Sequence, residues 1–187
     1  MRNKLNHSIR VILIIAFFIL FSCATTQKGQ EGSKEAEAYL NIGDDYAAKA
    51  QYDRAILDYT KALEINPTYI EAYNNRGIAY AAKALYDNAI SDYNKVLELN
   101  PRSVTTYYNR GIAYAAKGQY DQAVFNYTKA LEINPGFGLA YSNRAMAYYL
   151  MRKYDKSWDD VTKARELGYQ IPQKFTDDLR KASGRQK

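Results

Sequence analysis

Along most of the chain, apolar side chains recur every three or four residues, and the recurrence breaks at fixed intervals. Tyr80 and Ala84 keep helical spacing, the Lys-x-x-Tyr-Asp stretch over 83–87 interrupts it, and Ala89, Ile90, Tyr93 and Leu97 resume it. Such spacing predicts two amphipathic helices with a turn between them. The second helix should stop at Asn100-Pro101, because proline disfavours a helical residue before it and has no N–H to donate. The same pair occurs at Asn66-Pro67 and Asn134-Pro135, 34 residues to either side. Tyr-x-Asn-Arg-Gly-Ile-Ala-Tyr repeats over 73–80 and 107–114, with degenerate copies from Tyr39 to Tyr46 and from Tyr141 to Tyr148. A period of this length marks a helical solenoid, in which each helix pair completes its core only by stacking on its neighbours. The expected fold is all-α: four helix pairs over 36–69, 70–103, 104–137 and 138–171.

The pattern changes at both ends. In the fourth unit Trp158, Val161, Arg165 and Tyr169 replace the usual second-helix pattern, and Pro172 arrives three residues late. Within 172–187, Phe175, Leu179 and Ala182 share one face of a predicted helix, while Lys174, Asp177, Asp178, Arg180 and Lys181 surround the other. A solenoid needs such a cap, apolar towards the last repeat and polar towards water. At the other end, residues 23–35 are polar from Ala24 to Glu35 and lack apolar periodicity, which predicts a flexible tether. Residues 1–22 carry Arg2, Lys4 and Arg10 ahead of an apolar run from Val11 to Phe21, the layout of a secretory signal. Those eleven apolar residues would span about 16 Å as a helix, against a hydrocarbon core of about 30 Å.

The four units resemble tetratricopeptide repeats (TPRs). Numbered so that the Asn-Pro proline is residue 32 of each unit, the eighth position holds Gly43, Gly77, Gly111 and Ala145. The twentieth holds Ala55, Ala89, Ala123 and Ser157, and the twenty-seventh Ala62, Val96, Ala130 and Ala164. These are the small residues that let antiparallel helices approach closely. The resemblance implies a concave surface lined by the first helix of each repeat, with repeat positions 2, 5, 6, 9 and 12 facing a groove that takes extended or helical segments of partner proteins. Position 6 is Asn41, Asn75, Asn109 and Asn143; position 5 is Leu40, Asn74, Tyr108 and Ser142; position 9 is Asp44, Ile78, Ile112 and Met146. A carboxamide both donates and accepts, so the asparagine ladder suits either the backbone of a bound peptide or bonds to neighbouring helices. TPR domains that clamp a chaperone's terminal carboxylate carry Lys, Asn, Lys and Arg where Leu40, Asp44, Thr105 and Asn109 stand here, so that partner is not expected. Arg76, Arg110 and Arg144 at position 7 are expected to serve the scaffold, held by residues such as Asp58 and Asp92 on the preceding helix.

Leu20-Phe21-Ser22-Cys23 is similar to the lipobox of bacterial lipoproteins, whose cysteine is acylated and becomes the first mature residue; Phe21 departs from the small residue usual at its place. The resemblance implies a membrane anchor at Cys23, durable because it carries more than one acyl chain. Ala24 stands where lipoproteins retained at the inner membrane of enterobacteria carry Asp, which favours the outer membrane, facing the periplasm. The expected partners are then other envelope proteins.

Composition narrows the chemistry. Of 187 residues, 25% are charged and 47% hydrophobic, which fits neither a disordered chain nor a multi-span membrane protein. Cys23 and His7 are the sole cysteine and histidine; the first is the lipidation candidate and the second falls in the signal, so no metal site or cofactor is expected. Walker, GxGxxG, HExxH, GxSxG and EF-hand motifs are absent from the sequence. The carboxylates recur with the repeat, as in Asp53, Asp87, Asp121 and Asp155, which points to caps and surface charge and away from a catalytic pair. The rival reading is an envelope enzyme, or a sensor of a small ligand or glycan, working through Asp44 and Asp45. The net charge of +6 and nineteen tyrosines suggest nucleic-acid binding only until they are placed. Cleavage after residue 22 removes three positive charges and no negative ones, and fifteen tyrosines recur at repeat positions 4, 11, 17 and 24, as packing residues do.

Overall fold

The computed structural model describes residues 32–185, and these are all-helical with no strand among them. Helix α1 covers 32–48. Then follow α2 (Tyr52–Ile65), α3 (Ile70–Ala82), α4 (Tyr86–Leu99), α5 (Val104–Ala116), α6 (Tyr120–Ile133), α7 (Gly138–Leu150), α8 (Tyr154–Glu166) and α9 (Gln173–Ser183). Each helix packs on its sequence neighbours. Odd-numbered helices also touch one another, α3 with α5 and α5 with α7, whereas the even-numbered helices make no comparable contact. The array therefore curves with its odd helices inside. The signal, Cys23 and most of the expected tether lie outside the described residues. Where the tether enters them it is already helix from 32, ahead of its expected end at 35: Ser33, Lys34 and Glu35 are exposed, and a solvent-facing first turn leaves no apolar period to read.

One contact repeats inside each of the first three pairs. A β-carbon added to Gly43, Gly77 or Gly111 would lie 2.5, 2.7 or 2.6 Å from the ring of Tyr59, Tyr93 or Tyr127. Each ring belongs to the second helix of the same pair, is almost wholly buried, and rests on backbone that only glycine exposes. Around it pack Ala55, Ala62, Ala72 and Leu63 in the first cluster and Ala89, Ile90 and Ala113 in the second. In the fourth pair Ala145 replaces the glycine and Val161 the tyrosine; the indole of Trp158, one turn earlier on α8, donates to Ser183 Oγ of α9 at 3.1 Å. Phe175 and Leu179 of α9 pack on Ala145 and Val161. Thr176 completes that buried face, and Ala182, expected there, is exposed.

The turn inside each pair puts residue 15 of the repeat in the left-handed region: Ala50, Ala84, Gly118 and Arg152 have φ of 55°, 59°, 72° and 58°. Ala84 thus belongs to the turn and not to the helical face suggested by its spacing from Tyr80. A backbone bond from residue 16 to the carbonyl of residue 11 closes each turn, as from Leu85 to Tyr80 at 2.9 Å, and so satisfies carbonyls freed at the helix end. A second device links successive pairs at their exposed edge, where Lys83 pairs with Asp53 and Lys117 with Asp87. Lys153 stands 3.7 Å from Asp121 in the same sense. These pairs are solvent-exposed and add little stability.

The glycine contact yields a direct expectation. Gly111→Ala places a methyl inside van der Waals distance of Tyr127, so the helices must separate or the ring must move, at a cost of about 1–3 kcal/mol. Gly118→Ala, in the left-handed turn with no atom within 4 Å, costs about 1 kcal/mol through backbone strain alone. Thermal melts followed by circular dichroism should place Gly111→Ala below Gly118→Ala, and Gly111→Leu lower still.

Candidate peptide-binding groove

The inner face of the solenoid is built from α1, α3, α5 and α7. Of the position-9 residues, Ile78, Ile112 and Met146 are 44%, 38% and 40% exposed, well above core levels. They form a strip one residue wide, one from each successive inner helix, and the exposed Leu139 and Leu150 of α7 extend it at the last repeat. These side chains are free to receive an apolar partner.

At the first repeat the same position is Asp44, and the strip turns acidic. Asp44 Oδ1 accepts from Tyr59 Oη at 2.7 Å and from Asn75 Nδ2 at 2.9 Å. The Tyr59 ring lies against Gly43 and its hydroxyl reaches the groove floor; burial first, then the bond and charge of Asp44, hold its pKa well above the usual tyrosine value. Tyr69, just before α3, is raised as well, by burial and then by the charges of Glu71, Glu37 and Asp44. Glu71, Glu37 and Asp44 thus all act electrostatically on Tyr69 at this end of the groove. Beside them an open cleft of about 470 Å³ runs between the starts of α3 and α5, lined by Tyr69, Ile70, Glu71, Asn74, Thr105 and Thr106 among others.

The asparagine ladder divides. Asn75 is bound to Asp44, and Asn143 Nδ2 donates to Tyr108 Oη at 3.0 Å; each ties one inner helix to the one before it. Asn109 and Asn41 have no side-chain hydrogen bond among the described residues, and Asn41 is exposed. Asn74 stands in the cleft wall, Nδ2 3.4 Å from Asn75 Oδ1 and its own Oδ1 buried without a partner. Tyr108 packs on Phe137 and Tyr127, with ring centroids 4.8 and 5.9 Å apart, so it forms wall more than floor. Ser142 is half-buried. Leu40 is not a groove residue: at 3% exposure it belongs to the core with Tyr59, Leu63 and Ala72, because an apolar side chain at that position folds inwards between pairs. Glu37, Glu71 and Leu139, all at repeat position 2, shape the groove and were not singled out from sequence, although their shared position was the available signal.

The position-7 arginines serve the scaffold, and Asp92 is a partner as expected, but on the helix that follows the arginine and not the one before it. Arg76 binds Asp92, sixteen residues ahead of it on the second helix of its own pair, through Nε and Nη2 at 2.8 Å each. Its Nη1 donates to Thr60 of the preceding pair at 3.0 Å. Arg144 repeats this with Asp160 at 2.8 and 2.7 Å and Thr128 at 2.8 Å. Asp58 instead meets Lys61 at 3.1 Å, since its own pair has Ile42 at position 7. Burial lowers the pKa of Arg76 and Arg144, and the bonds and charge of their carboxylates more than reverse it. Among the described residues no group of three or more His, Cys, Asp or Glu side chains is placed to hold a metal ion.

The Tetratricopeptide repeat family matches residues 70–103 and 104–137, a TPR repeat family matches 43–83, and a further Tetratricopeptide repeat family matches 126–159. Together these span 43–159, more than half the chain. No curated protein sequence matches. Among solved structures, a crystal structure of MamA is 27% identical with a TM-score of 0.70, over 76% of this chain and 84% of that one. The first TPR of Spaghetti (RPAP3), bound to the HSP90 peptide SRMEEVD, is 28% identical with a TM-score of 0.62, over 64% of this chain and 94% of that one. The Arabidopsis OM64 TPR domain shares the fold at 22% identity and a TM-score of 0.61, over 63% of this chain and 98% of that one.

The division of the ladder can be measured. Asn75→Ala removes a bond to a carboxylate and should cost roughly 1–2 kcal/mol, while Asn109→Ala should stay within about 0.5 kcal/mol of wild type. Urea denaturation of the two variants checks this, and equal losses would make Asn109 scaffold as well.

Proposed function

The chain belongs to the tetratricopeptide-repeat family, and from that premise we propose that it is a membrane-anchored adaptor whose inner groove binds a segment of an envelope protein. The family is a protein-interaction module, and the RPAP3 neighbour holds a peptide. The observation that carries the reading is the groove itself, an open strip of exposed Ile78, Ile112 and Met146 that becomes acidic at Asp44, Glu37 and Glu71. It fits a partner segment with cationic side chains at the first repeat and apolar ones at the second to fourth. An acidic segment such as SRMEEVD would meet like charge at that end, in keeping with the absence of the clamp residues.

The anchor rests on sequence. A basic start, a short apolar run and Cys23 lead into the solenoid, and none of the described helices is long and apolar enough to cross a membrane. Acylation of Cys23 would hold the solenoid at the membrane surface, the outer membrane being favoured by Ala24. The rival reading through Asp44 and Asp45 is less well supported: Asp44 is engaged by Tyr59 and Asn75, and Asp45 is exposed.

Two variants of the full chain, expressed in a bacterial host, separate the parts of this proposal. Cys23→Ser should release the protein from membranes and block labelling by a fatty-acid analogue, without changing what the groove captures. The Ile78→Asp/Ile112→Asp pair should keep its helicity and membrane attachment and lose partner capture, since apolar contact is replaced by buried charge. Membrane retention of Cys23→Ser at high salt would rule out the lipid anchor, and unchanged capture by the isoleucine pair would rule out the groove.

A further inference from the structure

The three position-7 arginines are equivalent by repeat, yet one lacks its carboxylate. Arg76 faces Asp92 and Arg144 faces Asp160, whereas Arg110 faces Asn126. Arg110 Nε donates to Asn126 Oδ1 at 2.7 Å and Nη1 to Asn94 Oδ1 at 2.6 Å. Asn126 is 1% exposed, and its Nδ2 donates to the Gln122 carbonyl at 2.8 Å, which fixes the oxygen towards the arginine. Both partners are thus neutral. Nη2, which in the sister sites takes a carboxylate oxygen, bonds nothing among the described residues and is not sealed from solvent. Burial of Arg110, unrelieved by any carboxylate, depresses its pKa, opposite to the shift at Arg76 and Arg144.

A half-buried guanidinium without a counter-charge is unfavourable, and a carboxylate delivered from outside relieves it. We propose that Arg110, held between Asn94 of α4 and Asn126 of α6, is a receptor for a single carboxylate from a binding partner, which takes the free N–H groups of Nη1 and Nη2. The sister sites show the chemistry, since Asp92 and Asp160 are the chain's own carboxylates on equivalent arginines. The site uses none of Ile78, Ile112 and Met146, so it offers a contact additional to the apolar strip of the groove.

The test uses the full chain in detergent micelles, labelled with ¹⁵N-arginine, titrated with sodium acetate against sodium chloride at equal ionic strength. Acetate should move the Nε–H resonance of Arg110 saturably and leave those of Arg76 and Arg144 in place. Asn126→Asp, which supplies the missing carboxylate internally, should preserve helicity by circular dichroism and abolish the response. The proposal is overturned if acetate does not act on Arg110, if all three arginines respond alike, or if Asn126→Asp responds as wild type does. A response to inorganic phosphate without one to acetate would overturn the assignment of a carboxylate.

Discussion

The structure depends on a tyrosine ring pressed against bare backbone. In each of the first three pairs the ring of Tyr59, Tyr93 or Tyr127 occupies the place where a β-carbon would stand on Gly43, Gly77 or Gly111. That contact sets the distance between the two helices of a pair and therefore the position of the next pair. It also places the tyrosine hydroxyl at the inner face, where Tyr59 meets Asp44. Small residues at repeat positions 20 and 27 hold the same spacing on the other sides of the ring. The last pair escapes the constraint by a paired change, Ala145 with Val161, and α9 covers the pair they form through Phe175 and Leu179.

Helix pairs set at this distance stack with their first helices inwards, and the groove follows from the stacking. Its polarity comes from what the packing does not need: position 9 faces outwards from each inner helix, so Asp44, Ile78, Ile112 and Met146 vary without disturbing the core. Behind the groove, an arginine from each of α3, α5 and α7 bridges its own second helix and the one before. Arg76 and Arg144 bind a carboxylate there and Arg110 only two carboxamides, so the same scaffold position is neutralised in two repeats and left charged in the third.

Much of this was legible in the sequence, because a repeat reports its constraints several times over. The period, the Asn-Pro stops and the glycines at position 8 led to the all-helical solenoid, and the recurrence of the tyrosines separated packing rings from a nucleic-acid surface. The site was harder to read. Leu40 shares a repeat position with Asn74 and Tyr108 but folds inwards, since whether that position faces the groove depends on the side chain it carries. Asn75 and Asn143 are bound across successive inner helices, to partners more than thirty residues earlier in the chain. Arg76 pairs forward to Asp92 and not back to Asp58, a choice that spacing alone leaves open. The unmatched Arg110 and Asn126 were visible as one departure among four aligned units, but its meaning needed the bonds at the sister positions.

The central claim is that partners bind on the inner face. Its most direct measurement is photocrosslinking in cells, with a photoreactive residue in place of Ile112 in the groove or of Phe125, which is exposed on the outer helix α6. The account predicts a discrete partner adduct at 112, lost when Ile78→Asp is added. Adducts at 125 with none at 112 would contradict it.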